Sequence, residues 1–139
     1  MTGQLTRLPD WRSRLGDYLA AARTRPFRYG EQDCARFAAG AIEALTGTDP
    51  IAELGIRYTT LAGGHRALRQ RGYRDPVAFV RANFAEIPPS FARMGDLAVV
   101  ETAAGPALAV VGGAELFAVA PERGLVVLPR TAAVTAFRV

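Results

Sequence analysis

A single thiol stands where a helix should begin. The run Phe27-Arg28-Tyr29-Gly30-Glu31-Gln32-Asp33-Cys34 opens with Pro26 behind it, which biases its predecessor away from helical geometry, and Gly30 permits a tight turn. From Cys34 an apolar helical pattern starts, so Cys34 falls at the first helical position and Asp33 at the N-cap. There the unpaired backbone N–H groups and the macrodipole favour a thiolate over a thiol. Arg36 adds positive charge two residues on, and the Cys34 N–H could donate to a developing oxyanion. This is the chemistry of a cysteine nucleophile attacking a carbonyl. A blander reading stays open beside it, since most lone cysteines are small buried hydrophobes.

Amide cleavage by a thiolate also needs a group that carries a proton to the leaving amine. The chain has one histidine, His65, in Ala62-Gly63-Gly64-His65-Arg66. On the expected helix it shares a face with Leu61 and Leu68, which reads as a packed structural histidine; a base is the alternative role. Arg66, Arg69, Arg71 and Arg74 read as a solvated face, with phosphate or an acidic protein surface as the other reading. With one cysteine and one histidine there is neither an intrachain disulfide nor a zinc site of the usual kind. Neither a metal nor a cofactor is expected.

The elements that would position these residues follow from the periodicity. Trp11, Leu15, Tyr18, Leu19 and Ala22 recur on one face of a first helix, capped by Asp10. Phe37, Ala38, Ala41, Ile42 and Leu45 define the helix that Cys34 opens, and Gly47 stops it. A connection from Thr48 to Thr60 leaves room for one short turn over Ile51 to Leu54. A third helix is expected over Leu61 to Arg71. Asp75-Pro76 starts a fourth, with Val77, Val80 and Phe84 on one face. Beyond Met94 the period changes to that of strands: 96–101, 107–111, 115–119, 125–128 and 134–139, separated by Gly- and Pro-containing turns. About four helices followed by a five-stranded antiparallel meander is an α+β fold.

The aromatic-x-aromatic-Gly-x-x-Asp-Cys run, followed by Gly95-Asp96-Leu97 and the strands, resembles the NlpC-type cysteine peptidases, which have a papain-like fold. More closely, the chain is similar to a family of phage and prophage proteins related to them and often encoded among tail genes. Pro26 to Cys34, Thr46-Gly47-Thr48-Asp49-Pro50, Tyr58-Thr59-Thr60, Met94-Gly95-Asp96-Leu97 and Ala136-Phe137-Arg138-Val139 carry the likeness. It implies one NlpC-like domain over residues 1–139, with Cys34 as the nucleophile. In the peptidases a histidine near the start of the second strand activates the cysteine, and a polar residue on the next strand orients it. Here the position nearest that histidine is about Ala107, and the following strand offers only Glu115 at its rim. His65 is the one substitute, on a helix where the family places no base. Asp96 reads as a turn former accepting backbone hydrogen bonds. Trp11, Phe27, Tyr29 and Phe37 read as core, with groove lining beside Cys34 as the minority reading.

The resemblance therefore implies a degenerate, structural domain at a tail tip, assembled in the host cytoplasm and touching other tail-tip or baseplate proteins. The alternative is an active peptidoglycan-cleaving peptidase or amidase that uses Cys34 with His65 or a partner's residue as base. In 139 residues about two-thirds of the unfolded surface can be buried, enough for one core. The composition, 50% hydrophobic and 22% charged, excludes disorder and coiled coil. A net charge of +4, with all seventeen basic residues arginine, would favour acidic partners, but the charges are spread along the chain and nucleic acid is not expected. No apolar run reaches membrane-span length, and Arg7, Asp10, Trp11 and Arg12 interrupt the place of a signal peptide's apolar region.

Overall fold

The computed structural model describes residues 5–139. Helix α1 spans Trp11–Ala22, with Leu15 and Ala22 buried and Trp11, Tyr18 and Leu19 packed at the margin of the core. Asp10 precedes it but its side chain caps nothing. At φ −99° and ψ 25° its backbone is not in the extended geometry that lets a side chain reach back to the first turn.

Helix α2, Cys34–Thr46, is fixed at both ends by the residues expected. Asp33 is extended and accepts from the Arg36 N–H at 2.8 Å. Gly47 takes the left-handed conformation at φ 85° and donates its N–H to Glu43 O at 2.8 Å. Phe37, Ala38, Ala41, Ile42 and Leu45 are buried, and the three-residue alternation of alanine with larger side chains lets the helix lie close on the sheet. Helix α3, Pro50–Leu54, is capped by Asp49. Helix α4, Leu61–Arg69, ends two residues earlier than the sequence suggests, because the chain turns through Gln70 and Arg71 before Gly72 at φ 91°. Helix α5 runs Pro76–Asn83 behind the Asp75 cap. Its buried residues are Phe79 and Val80; Val77 and Phe84 only border the core, so the buried stripe is rotated from the expected one.

The sheet has six antiparallel strands, β1 Glu86–Ile87, β2 Leu97–Thr102, β3 Gly105–Val111, β4 Glu115–Ala120, β5 Gly124–Pro129 and β6 Ala133–Phe137, in the order β1-β6-β2-β3-β4-β5. This corrects the four-helix, five-strand meander: among the described residues the fold is α+β with five α-helices and six strands, and β6 does not stay beside β5. It crosses to the far side of β2, pairing Leu97 with Phe137 and Ala98 with Ala136, and β1 adds outside it. The reason lies in β2, whose Leu97, Ala98, Val99 and Val100 are all buried. A strand covered on both faces is a central strand and needs neighbours on both edges.

Alternation then divides the core. Leu97, Val99, Leu108, Val110, Val119 and Phe137 face the helices, whereas Ala98, Val100, Ala109, Val111, Leu116, Ala118 and Ala136 form a second cluster on the opposite face. Among the described residues no helix is long and apolar enough to cross a membrane.

Candidate functional site

Cys34 sits at the first position of α2 and its side chain meets β3. The ladder between β3 and β4 holds only two pairs, Val110 with Phe117 and Val111 with Leu116. Toward the start of β3 that ladder has ended, and the backbone at Leu108 hydrogen-bonds the Cys34 sulfur, as does the backbone at Ala35. Both contacts favour the thiolate. Burial outweighs them, and the carboxylates of Asp33 and Asp75 add to it, so the thiol is pushed up to about 11. Desolvation of the charged form thus defeats the helix-terminus effect that the sequence suggests.

Both carboxylates are themselves occupied. Asp33 accepts from the N–H of Arg36 at 2.8 Å and of Gly30 at 2.9 Å. Asp75 accepts from the Ala78 N–H at 2.8 Å and lies 3.6 Å from Arg74 Nε. The N-caps of two helices therefore converge on one sulfur. Each contributes negative charge there.

Tyr58 closes the other side. Burial, then the charge of Asp33 and hydrogen bonding to it, hold its hydroxyl above the ordinary phenol range. Arg36 lies 5.5 Å from the centre of its ring and donates through Nη2 to Ile56 O at 3.0 Å. The tight turn before Cys34 is locked against the same residue: Gly30, at φ 84°, would place a side-chain Cβ 1.9 Å from Tyr58 O. Only glycine fits that approach. Gln32, fully buried, donates to Ala22 O at 3.2 Å and Arg25 O at 2.9 Å, pinning the loop between α1 and α2.

The strand position nearest the histidine that the resemblance implies faces away from the helices. Ala107 packs with the second cluster, on the face away from the helices. The residues of β3 that share the helix side are Pro106, Leu108 and Val110, and none of them titrates. Glu115 is exposed at the start of β4. His65 lies half-buried on α4 and is not among the groups that act on the Cys34 sulfur; its neighbour Gly64 packs on the Tyr58 ring. Leu68 on the same helix is buried, whereas Leu61 is exposed.

Of the aromatic residues, Phe37 is core and stacks with Tyr18 at 5.7 Å. Phe27 and Tyr29 pack edge to face at 4.9 Å, and Trp11 lies between Arg7 and Arg12. Asp96 takes the turn-forming role, accepting from the Arg93 N–H at 2.8 Å. A cleft of about 490 Å³ opens between α5 and the sheet, bounded by Arg74, Asp75, Arg81, Glu101, Pro106 and Val134. It shares Asp75 with the surroundings of Cys34, but Cys34 does not line it. Among the described residues no three His, Cys, Asp or Glu side chains gather into a metal-binding group.

Sequence reasoning found Cys34, Asp33 and Asp75 through their capping signals. It missed that the charge of Asp75 bears on the sulfur and that Tyr58 is coupled to Asp33, because those interactions join separate elements and leave no local pattern. The family model described as Domain of unknown function (DUF6950) matches the chain over residues 6–139. No curated protein matches it.

Proposed function

The chain belongs to the DUF6950 family, and we propose that it is a papain-like, NlpC-type scaffold that has lost its catalysis and serves as a structural or docking piece at the tail tip of a phage or phage-derived particle. One observation carries the loss of catalysis: the groups that act on the only thiol are backbone and the carboxylates of Asp33 and Asp75, with no imidazole among them, and burial pushes the thiol up to about 11. The placement of a cysteine at the head of a helix that packs against an antiparallel sheet supports the kinship. The tail assignment rests on the resemblance of the segments from Pro26 to Cys34 and from Met94 to Leu97 to tail-gene products.

The test combines reactivity and location. Iodoacetamide should modify Cys34 far more slowly at pH 7 than it modifies a free cysteine, and purified peptidoglycan should remain uncut. Purified particles from the source cell should contain the chain. If peptidoglycan is cleaved, and both Cys34→Ala and His65→Ala abolish the cleavage, the active peptidase reading replaces this one. Absence of the chain from purified particles would remove the tail assignment.

A further inference from the structure

Charge is not even over the molecule. Five of the seventeen arginines and none of the thirteen carboxylates lie between Glu53 and Asp75, so elsewhere carboxylates outnumber arginines and the net charge of +4 comes from this stretch. The fold gathers it around α4. The segment from Leu54 to Tyr58 runs beside that helix, held at one end by Arg71 Nε donating to Leu54 O at 2.9 Å and at the other by Tyr58 packed on Gly63 and Gly64. Ile56 is buried and the Tyr58 ring is turned to α4, so Arg57 between them points outward and is exposed. On α4, Gly64 and Leu68 are buried, which puts Arg66 and Arg69 on the outer side, both exposed. Among the described residues no ion pair involves Arg57, Arg66, Arg69 or Arg71. Arg71 is held by two carbonyls, Leu54 O and Ala67 O, which fix its charge in place without neutralising it.

We propose that this face, the outer side of α4 together with Arg57, docks on a carboxylate-rich surface of another protein. Positive charge collected on exposed elements without counter-charges is complementary to an acidic partner. A protein fits better than a nucleic acid because of a residue on the same helix. Leu61, at its head, is 47% exposed; a phosphodiester backbone has nothing apolar to cover it, whereas protein interfaces combine arginine with apolar contacts. A second copy of this chain does not fit, since a two-fold axis through the face would set arginine against arginine. This is the docking surface of the structural piece proposed above, and it rests on that reading.

Titration of the full chain with three probes tests this: a synthetic glutamate peptide carrying one central leucine, the same peptide with glycine in its place, and a short DNA duplex. The leucine peptide should bind, and bind more tightly than the glycine peptide, with Leu61→Ser removing the difference. Arg66→Glu with Arg69→Glu should weaken its binding at least about tenfold, and Arg66→Gln with Arg69→Gln by a smaller factor. Circular dichroism should match the wild type, since neither arginine has an ion-pair partner to lose. Arg123→Glu with Arg138→Glu, at exposed arginines on other elements, changes the net charge equally and should weaken binding far less. No binding, equal losses in the two glutamate double variants, no advantage for the leucine peptide, or a preference for the duplex that depends on Arg66 and Arg69 would each overturn the proposal. Any of these leaves the tests of catalysis and of particle content standing.

Discussion

The Arg7 guanidinium donates to the Asp96 carboxylate at 3.0 Å, and this pair fastens both ends of the described chain to the head of β2. Arg7 also donates from Nε to Val139 O at 3.0 Å and from Nη1 to Met94 O at 2.9 Å. Asp96, fully buried, accepts from the N–H of Arg93 at 2.8 Å and of Val139 at 3.0 Å. Burial is the larger influence on Arg7 and lowers its pKa; the charge of Asp96 opposes it. Gly95-Asp96 is therefore a structural clasp.

Removing one partner of a buried pair leaves the other uncompensated, which costs about 3–5 kcal/mol. Arg7→Ala should accordingly lower the urea midpoint of unfolding by that equivalent, and the double variant Arg7→Ala with Asp96→Ala should cost less than the sum of the two single variants. Strict additivity of the three measurements would show that the two residues act independently.

Asp33 does two things that one substitution pair separates. Its oxygens cap α2 and hold the Gly30 N–H, and its charge raises the Cys34 thiol. Asp33→Asn keeps one oxygen to cap the Arg36 N–H but sets its amide NH2 against the Gly30 N–H, so it should cost about 1 kcal/mol of stability while, with the charge gone, thiol reactivity at neutral pH rises. Asp33→Ala removes both and should cost about 1 kcal/mol or more in addition. Alkylation rates and denaturant midpoints of the two variants check this; equal alkylation by wild type and Asp33→Asn would deny the carboxylate any influence on the sulfur.

What could be read from the sequence was local. The Asp33 and Asp75-Pro76 starts and the Gly47 stop each act within one turn, and those helices begin and end where their signals stand; α3 begins at Pro50, one residue before the short turn expected over Ile51 to Leu54. The return of β6 to β2 depends on pairing between residues some forty positions apart, and no pattern within Ala133–Phe137 specifies its neighbour. β1 escapes notice because two residues carry no period. The site shows the same division. Cys34 at a helix start was legible, but its ionisation depends on desolvation and on Asp75 from another helix. Ala107, the position nearest the histidine that the resemblance implies, packs behind the sheet, and in a strand one residue exchanges the faces.

The raised thiol has a consequence for alkaline stability. Folding holds the proton on Cys34, so the native state binds more protons than the unfolded chain between about pH 9 and about pH 11. The contribution is fully present below the unfolded value and is lost as pH rises through the folded one. Burial raises the hydroxyls of Tyr18 and Tyr58 in the same direction, adding to the loss at the upper end. Melting temperature should fall as pH passes from about 9 toward about 11, and Cys34→Ala should fall less over the lower part of that interval. Identical pH dependence for the two proteins, or ultraviolet thiolate absorbance already developed at neutral pH, would contradict the protonated thiol.

The facing of β3 makes the last prediction the most discriminating. Pro106 lies on the helix side and, with Asp75, borders the cleft beside α5, whereas Ala107 belongs to the cluster behind the sheet. An imidazole introduced by Pro106→His would stand on the sulfur's side with the Asp75 carboxylate near it to favour its protonated form. A cation beside the thiol lowers its pKa, so alkylation of Cys34 at pH 7 should accelerate at least about tenfold relative to the wild type, with the gain concentrated where the imidazole is charged. Ala107→His, one residue away, should give no acceleration because its side chain enters the opposite face. If Ala107→His is the variant that activates Cys34, the strand faces the helices through the other set of residues, and the account of why the thiol lacks a base must be rebuilt from that register.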